Sequence, residues 1–159
     1  MKDQQKYIFK QAMVFGTFDQ LHKGHRDYIT RAFDLADEVL IMVMSDEASR
    51  PTKIYTPHDF NKRCQQIVAF AKQNNIDESR YEIDTWSERP QLYKRILQEP
   101  YVDVVLTGHE YLDRTYEMFQ ERLLLGLPQF TLLLQPRYHE NGREVTSTSI
   151  RLKLDKQKS

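Results

Sequence analysis

Cysteine is almost missing from this 159-residue chain: Cys64 stands alone, so no internal disulfide framework can form. An excess of charge of one sign is missing too. Lysine plus arginine and aspartate plus glutamate number 23 each, so nothing in the composition draws in a nucleic acid or an anionic membrane. Any polyanion bound here is small and held locally. No apolar run approaches the roughly 18 to 20 residues of a membrane span. Residues 1–10 carry Lys2, Lys6, Lys10 and Asp3 without an apolar stretch, which does not read as a secretory signal. The cytoplasm is the expected compartment. Glycine and proline are scarce, at five and six, and form no linker. With no repeat or low-complexity stretch either, the chain reads as one domain over 1–159, with a core over about 8–152. Hydrophobic residues make up 40% of the chain, enough to build that core.

What is present is alternation. Short apolar, β-rich runs fall at 12–15, 39–44, 81–83, 102–106 and 130–134, and predict strands buried on both faces. Helical spacing fills the gaps. Ile29, Ala32, Phe33 and Ala36 share one face; Phe60, Cys64, Ile67, Val68 and Ala71 a second; Leu112, Tyr116, Phe119 and Leu123 a third, each read as a core stripe. A shorter helix is expected over 91–97 and a last one from Thr148 onward. Strand-helix alternation predicts an α/β fold: a five-stranded parallel sheet with helices on both faces, and ligands at the carboxyl ends of the strands.

The segment from Gly16 to His25, Gly-Thr-Phe-Asp-Gln-Leu-His-Lys-Gly-His, joins the first strand to the first helix. Gly16 allows a ligand close to the main chain, Gly24 permits a tight turn, and His25 stands at a helix N-terminus whose N–H groups and dipole favour an anion. His22 and His25, three apart, can converge on one phosphate chain with hydrogen bonds or charge. Paired histidines also occur as metal ligands, but no Cys, Glu or third His follows at zinc-site spacing, and no metal site is expected. Asp19 either orients a histidine, holds Mg²⁺ or bonds loop backbone.

A second cluster, Val145-Thr146-Ser147-Thr148-Ser149-Ile150-Arg151, repeats the theme of hydroxyls before a helix. Ser147 and Thr148 can cap the helix and cradle outer phosphates, and Arg151 adds a fixed cationic fork; a plain capped helix is the alternative. Between the clusters, Arg50 and Lys53 bring cations to the same predicted rim, and Arg63 and Arg122 are further cations. Thr107-Gly108 closes the fourth strand, where main-chain groups can meet a base or ribose. Trp86 follows the third strand, where it lines an acceptor pocket or packs peripherally.

Gly16-Thr17-Phe18-Asp19 followed by His22-Lys23-Gly24-His25 resembles the signature of the cytidylyltransferase-like nucleotidyltransferase superfamily. The 145–151 cluster is similar to its second signature, Ile/Val-Ser-Ser-Thr-x-Ile-Arg, with Thr146 in place of a serine. Cytidylyltransferases carry an Arg-Thr pair shortly before an Ile-Ser-Thr-Thr run, whereas Asn141-Gly142-Arg143-Glu144 stands here. The tail, with Arg122 and the Gly126-Leu127-Pro128 turn, looks more like phosphopantetheine adenylyltransferases of the archaeal and eukaryotic type. The bacterial Gly-Leu-Arg segment is replaced by Thr107-Gly108-His109-Glu110.

The resemblance implies a Rossmann-like fold in which His22 and His25 face a triphosphate. Gly16, Thr17, Phe18, Asp19, Gly24, Gly108, Ser147 and Thr148 then surround the nucleotide, Arg151 grips the leaving group, and Thr17, Lys53 and Trp86 meet the acceptor. It implies direct in-line transfer without an enzyme nucleophile, with Mg²⁺ carried by the triphosphate. The expected partners are ATP, or alternatively CTP, and a phosphorylated small molecule. Phosphopantetheine leads with ATP, and an alcohol phosphate such as glycerol 3-phosphate with CTP. A nucleotide-binding regulator without turnover is the alternative from another class, and homo-oligomerisation is left open. No Gly-x-x-x-x-Gly-Lys-Ser/Thr occurs to suggest a Walker-type phosphohydrolase.

Overall fold

Strand and helix alternate from the first described residues onward. The computed structural model describes residues 6–52, 54–146, 150, 153, 154, 156 and 157. In chain order the main elements are β1 (Phe9–Gly16), α1 (Lys23–Leu35), β2 (Ala36–Met44), the single turn α2 (Asp46–Ser49) and α3 (Phe60–Gln73). There follow β3 (Tyr81–Trp86), α4 (Arg89–Ile96), β4 (Val104–Thr107), α5 (Leu112–Leu124), β5 (Thr131–Leu134), β6 (His139–Glu140) and β7 (Arg143–Glu144). The first five strands form one sheet in the order β3-β2-β1-β4-β5, with every pairing parallel. This is the doubly wound, Rossmann-like architecture expected from the alternation.

Alternation along the central strands feeds two cores. Ala12 and Val14 of β1 with Val39, Ile41 and Val43 of β2 meet Ile29, Phe33, Ile67 and Phe70 from α1 and α3. Met13, Phe15, Leu40 and Met42 point the other way and meet Leu92, Ile96 and Met118 from α4 and α5. Both faces of the sheet are therefore covered. Strands buried on both sides are found only at the centre, however: β3 and β5 are the sheet edges and remain partly exposed.

The outward turn of α5 departs from the expected stripe. Leu112, Tyr116 and Leu123 are 41%, 57% and 62% exposed, while Thr115, Met118 and Arg122 take the buried face. The reason is hydrogen bonding. Arg122 donates Nε–H to the Ile96 carbonyl at 2.7 Å and its Nη1 to those of Val102 at 2.6 Å and Pro128 at 3.0 Å. A buried guanidinium that closes three main-chain carbonyls overrides the apolar pattern.

The hairpin β6–β7 was not expected. It turns at Asn141 and Gly142, whose φ angles of 52° and 74° suit the two central positions of a type I′ turn. The Val145 N–H then donates to the Tyr138 carbonyl at 2.8 Å, and this bond brings the chain back to the sheet edge.

Candidate nucleotide site

The sheet order reverses between β1 and β4, whose register pairs Ala12 with Val104 and Met13 with Val105. Beyond those pairs Tyr28 of α1 bridges the two strand ends. Its hydroxyl donates to the Leu106 carbonyl and accepts the Phe15 N–H at 3.3 Å, and burial pushes the phenol pKa up. Above this bridge opens a cavity of about 210 Å³, at the switch point where such sheets take ligands.

His22 caps α1: its Nδ1 accepts the Gly24 N–H at 3.0 Å. Burial lowers its pKa to about 4, so the ring is neutral near pH 7. With Nδ1 occupied as an acceptor, the ring proton resides on Nε2, a hydrogen-bond donor without a charge. His25 stacks on it, ring centroids 3.8 Å apart, and both rings line the cavity at the helix N-terminus.

Gly24 lies inside α1 and not in a turn, so the tight-turn reading is corrected. A Cβ there would come within 2.8 Å of His22 Cε1 and 3.1 Å of Tyr138 Cβ. Glycine is needed for close approach of the ring and of the post-β5 loop.

The loop before α1 is strained and tied down. Phe18 sits at φ 56°, ψ 33°, a left-handed conformation that costs a bulky residue about 1–3 kcal/mol. Its buried ring tilts against His25 and forms a wall of the cavity. Arg63, fully buried, donates to the Thr17 carbonyl at 2.7 Å, to Met44 at 2.8 Å, to His58 at 2.9 Å, and to the Asp46 carboxylate. Asp19 is 0% exposed and accepts the His58 N–H at 3.1 Å, so its carboxylate braces the loop and does not line the cavity. The same carboxylate oxygen lies 3.3 Å from the His58 Nδ1, so Asp19 meets both loop backbone and a histidine ring.

Gly16, Thr17 and Gly108 line the cavity, and Val145 and Thr146 reach it from the other end of the chain. The first signature and the first two residues of the second thus meet at one sheet edge. Lys53, Ser147, Thr148 and Arg151 lie outside the described residues. Trp86 does not line this cavity: its indole, 4% exposed, packs in the core on the α4–α5 side of the sheet.

The profile of the cytidylyltransferase-like family fits residues 13–153, from mid-β1 through the second signature. The chain belongs to the cytidylyltransferase-like family. Among relatives, it is 26% identical over 148 residues to phosphopantetheine adenylyltransferase of Methanopyrus kandleri, covering 92% of each chain. It is 25% identical to the protein of that name from Pyrobaculum aerophilum, covering 97% of each. In fold it is similar to a bifunctional NMN adenylyltransferase/ADP ribose pyrophosphatase from Francisella tularensis, with a TM-score of 0.72 at 18% identity over 93% of this chain and 42% of that one. A protein of unknown function from Archaeoglobus fulgidus gives 0.67 at 20% identity, over 86% of this chain and 99% of that one.

Several residues at this family site escaped the sequence reading. Arg137, after β5, lines the cavity and pairs with Glu110 at 3.0 Å and with Glu144 of the hairpin. Burial alone would raise the Glu110 carboxyl, but its main-chain hydrogen bond and Arg137 hold it below the usual range. Tyr111, Gln135 and Tyr138 complete the far wall. Only Tyr28 left a signal, standing three residues after His25 on the same helical face.

Among the described residues no group of three or more His, Cys, Asp or Glu side chains could hold a metal ion. The imidazoles and the arginine among the lining residues suit phosphate oxygens. Nor, among the described residues, is any helix long and apolar enough to cross a membrane.

Proposed function

We propose that this protein transfers AMP from ATP to phosphopantetheine and releases pyrophosphate. One observation carries the reading: the stacked histidines at the α1 N-terminus and the chain entering the second signature line a single cavity at the β1/β4 switch point. The named archaeal relatives, matched over nearly their whole length, favour adenylyl transfer and this acceptor.

An oxygen of the acceptor phosphate attacks the α-phosphorus. A new P–O bond forms as the bond to the β-phosphate bridge breaks, and pyrophosphate departs with the electron pair. The acceptor is already ionised, so no general base is required. His22 donates from Nε2 as a neutral ring, and His25 beside it faces the same phosphate. Both act where negative charge develops. Lys53 steadies the acceptor, and Ser147, Thr148 and Arg151 hold the outer phosphates. Mg²⁺ bound to the triphosphate would neutralise part of the charge on the leaving group.

A pyrophosphate-release screen tests this by crossing ATP and CTP with phosphopantetheine, glycerol 3-phosphate, nicotinamide mononucleotide and flavin mononucleotide. The expected active pair is ATP with phosphopantetheine, yielding dephospho-coenzyme A. Release with CTP and glycerol 3-phosphate alone would overturn the substrates, and nucleotide binding without release from any pair would make the protein a regulator.

A further inference from the structure

Arg114 differs from the other inward-turned arginines because nothing accepts its hydrogen bonds. Arg63 and Arg122 are consumed by main-chain carbonyls, as is Arg80, which donates to the carbonyls of Phe33, Ala36 and Asp37. Arg114, half-buried in the first turn of α5, has no hydrogen bond or ion pair among the described residues, and its buried Nε lacks a partner. Aromatic rings hold it instead: the guanidinium carbon lies 5.4 Å from the Trp86 ring centre and 5.3 Å from that of Tyr111. Contact with two rings fixes the guanidinium and leaves its N–H edge to bond elsewhere.

A second cation stands nearby. Burial first, and then Arg89 at the start of α4, lower the pKa of Arg114. The adjacent carboxylate, Glu117, accepts from the Tyr93 hydroxyl and lies 4.0 Å from Arg89, so it only partly offsets the two cations. Arg114 is half-buried, whereas the Arg89 side chain is 57% exposed, so the unmet charge that an anion would offset sits mainly on Arg114.

The position suits the transferase reading, on which this inference rests. Tyr111 is a wall of the nucleotide cavity, its ring 5.9 Å from that of Phe15, while Arg114 contacts Tyr111 without lining the cavity. Trp86 is in register with Met44, whose sulfur is 3.9 Å from the Thr17 hydroxyl. Arg114 therefore occupies the carboxyl edge of the sheet on the α4–α5 side, one aromatic ring away from the nucleotide. In-line transfer requires the attacking group and the departing pyrophosphate on opposite sides of the α-phosphorus. With Arg137 inside the cavity, the cation beyond Tyr111 is free for the incoming reactant.

We propose that Arg114, with Arg89 beside it, binds the phosphomonoester of the acceptor through the free edge of its guanidinium. A phosphate dianion accepts two parallel bonds from such a fork. The acceptor's phosphate is thereby recognised by residues outside both signatures.

The test compares wild type, Arg114→Ala and Arg114→Lys by steady-state kinetics and by equilibrium binding of phosphopantetheine and unphosphorylated pantetheine. The expected result for Arg114→Ala is an acceptor KM raised by about 10- to 100-fold, in keeping with a lost charge-assisted bond. The KM for ATP stays within about twofold, and Arg114→Lys recovers part of the loss as a point charge without the fork. Pantetheine binding does not change, which separates phosphate recognition from general damage to the pocket. An unchanged acceptor KM, an ATP KM that rises in step, or an equal loss for pantetheine would overturn the assignment. An inactive wild type would instead overturn the transferase reading, and the phosphate assignment with it, whereas an active wild type with an unaffected Arg114→Ala overturns Arg114 alone.

Discussion

His22 and His25 lie ring over ring, with centroids 3.8 Å apart and planes inclined by 24°. Two imidazolium rings so close would repel strongly in a half-buried site, and the fold avoids this by holding His22 neutral, its pKa lowered to about 4 by burial. A histidine depressed in this way binds a proton in the unfolded chain before it does so in the native one. Its contribution to stability is therefore complete above the ordinary value near 6.5, falls as the pH drops, and levels off below about 4. Urea midpoints measured across this window should decline more steeply for wild type than for His22→Gln. Parallel slopes would show that His22 titrates normally.

His25→Ala should lower turnover by roughly two to three powers of ten through loss of a group facing the reacting phosphate. Thermal melting should change little, since the ring is only half-buried. Single-turnover rates with labelled ATP check this, and wild-type rates in the variant would remove His25 from the chemistry.

Gly24→Ala separates folding from positioning. Alanine in place of glycine inside a helix is ordinarily worth about 1 kcal/mol, but here the added methyl would press on the His22 ring and the Tyr138 Cβ. The ring can swing away, so stability should hold within about 1 kcal/mol. Turnover should fall at least about tenfold as the cap and its Nε2 donor move. A variant of full activity would show that the position of the His22 ring does not matter.

Much of the fold was legible because its evidence is local. Runs such as Val39–Val43 can only be central strands, and the Asn141-Gly142 dipeptide was a hairpin signal read merely as a lead-in to the second signature. The face of α5 was not legible, because Arg122 is satisfied by carbonyls from α4, the β4 approach and the turn before β5, none of them near it on the same helix. The same divide runs through the site. Gly16 to His25 announces itself as a compact stretch, whereas Glu110, Tyr111 and Arg137 belong to it only because β4 and β5 end beside β1.

Arg63 reads in the sequence only as a further cation between the two clusters, yet its guanidinium is fully committed to the carbonyls of Thr17, Met44 and His58 and to Asp46. Arg63→Met should cost about 3–5 kcal/mol, the magnitude for removing one member of a buried charged network. Equilibrium denaturation reads this directly. A loss under about 1 kcal/mol would mean that water replaces the guanidinium without difficulty.

The most direct measurement is a crystal structure with a non-hydrolysable ATP analogue and Mg²⁺. The α-phosphate should lie within about 3.2 Å of ring nitrogens from both His22 and His25, with residues 147–151 closing on the outer phosphates from the opposite end of the chain. A triphosphate bound elsewhere, or one that the 147–151 segment never touches, would contradict the account.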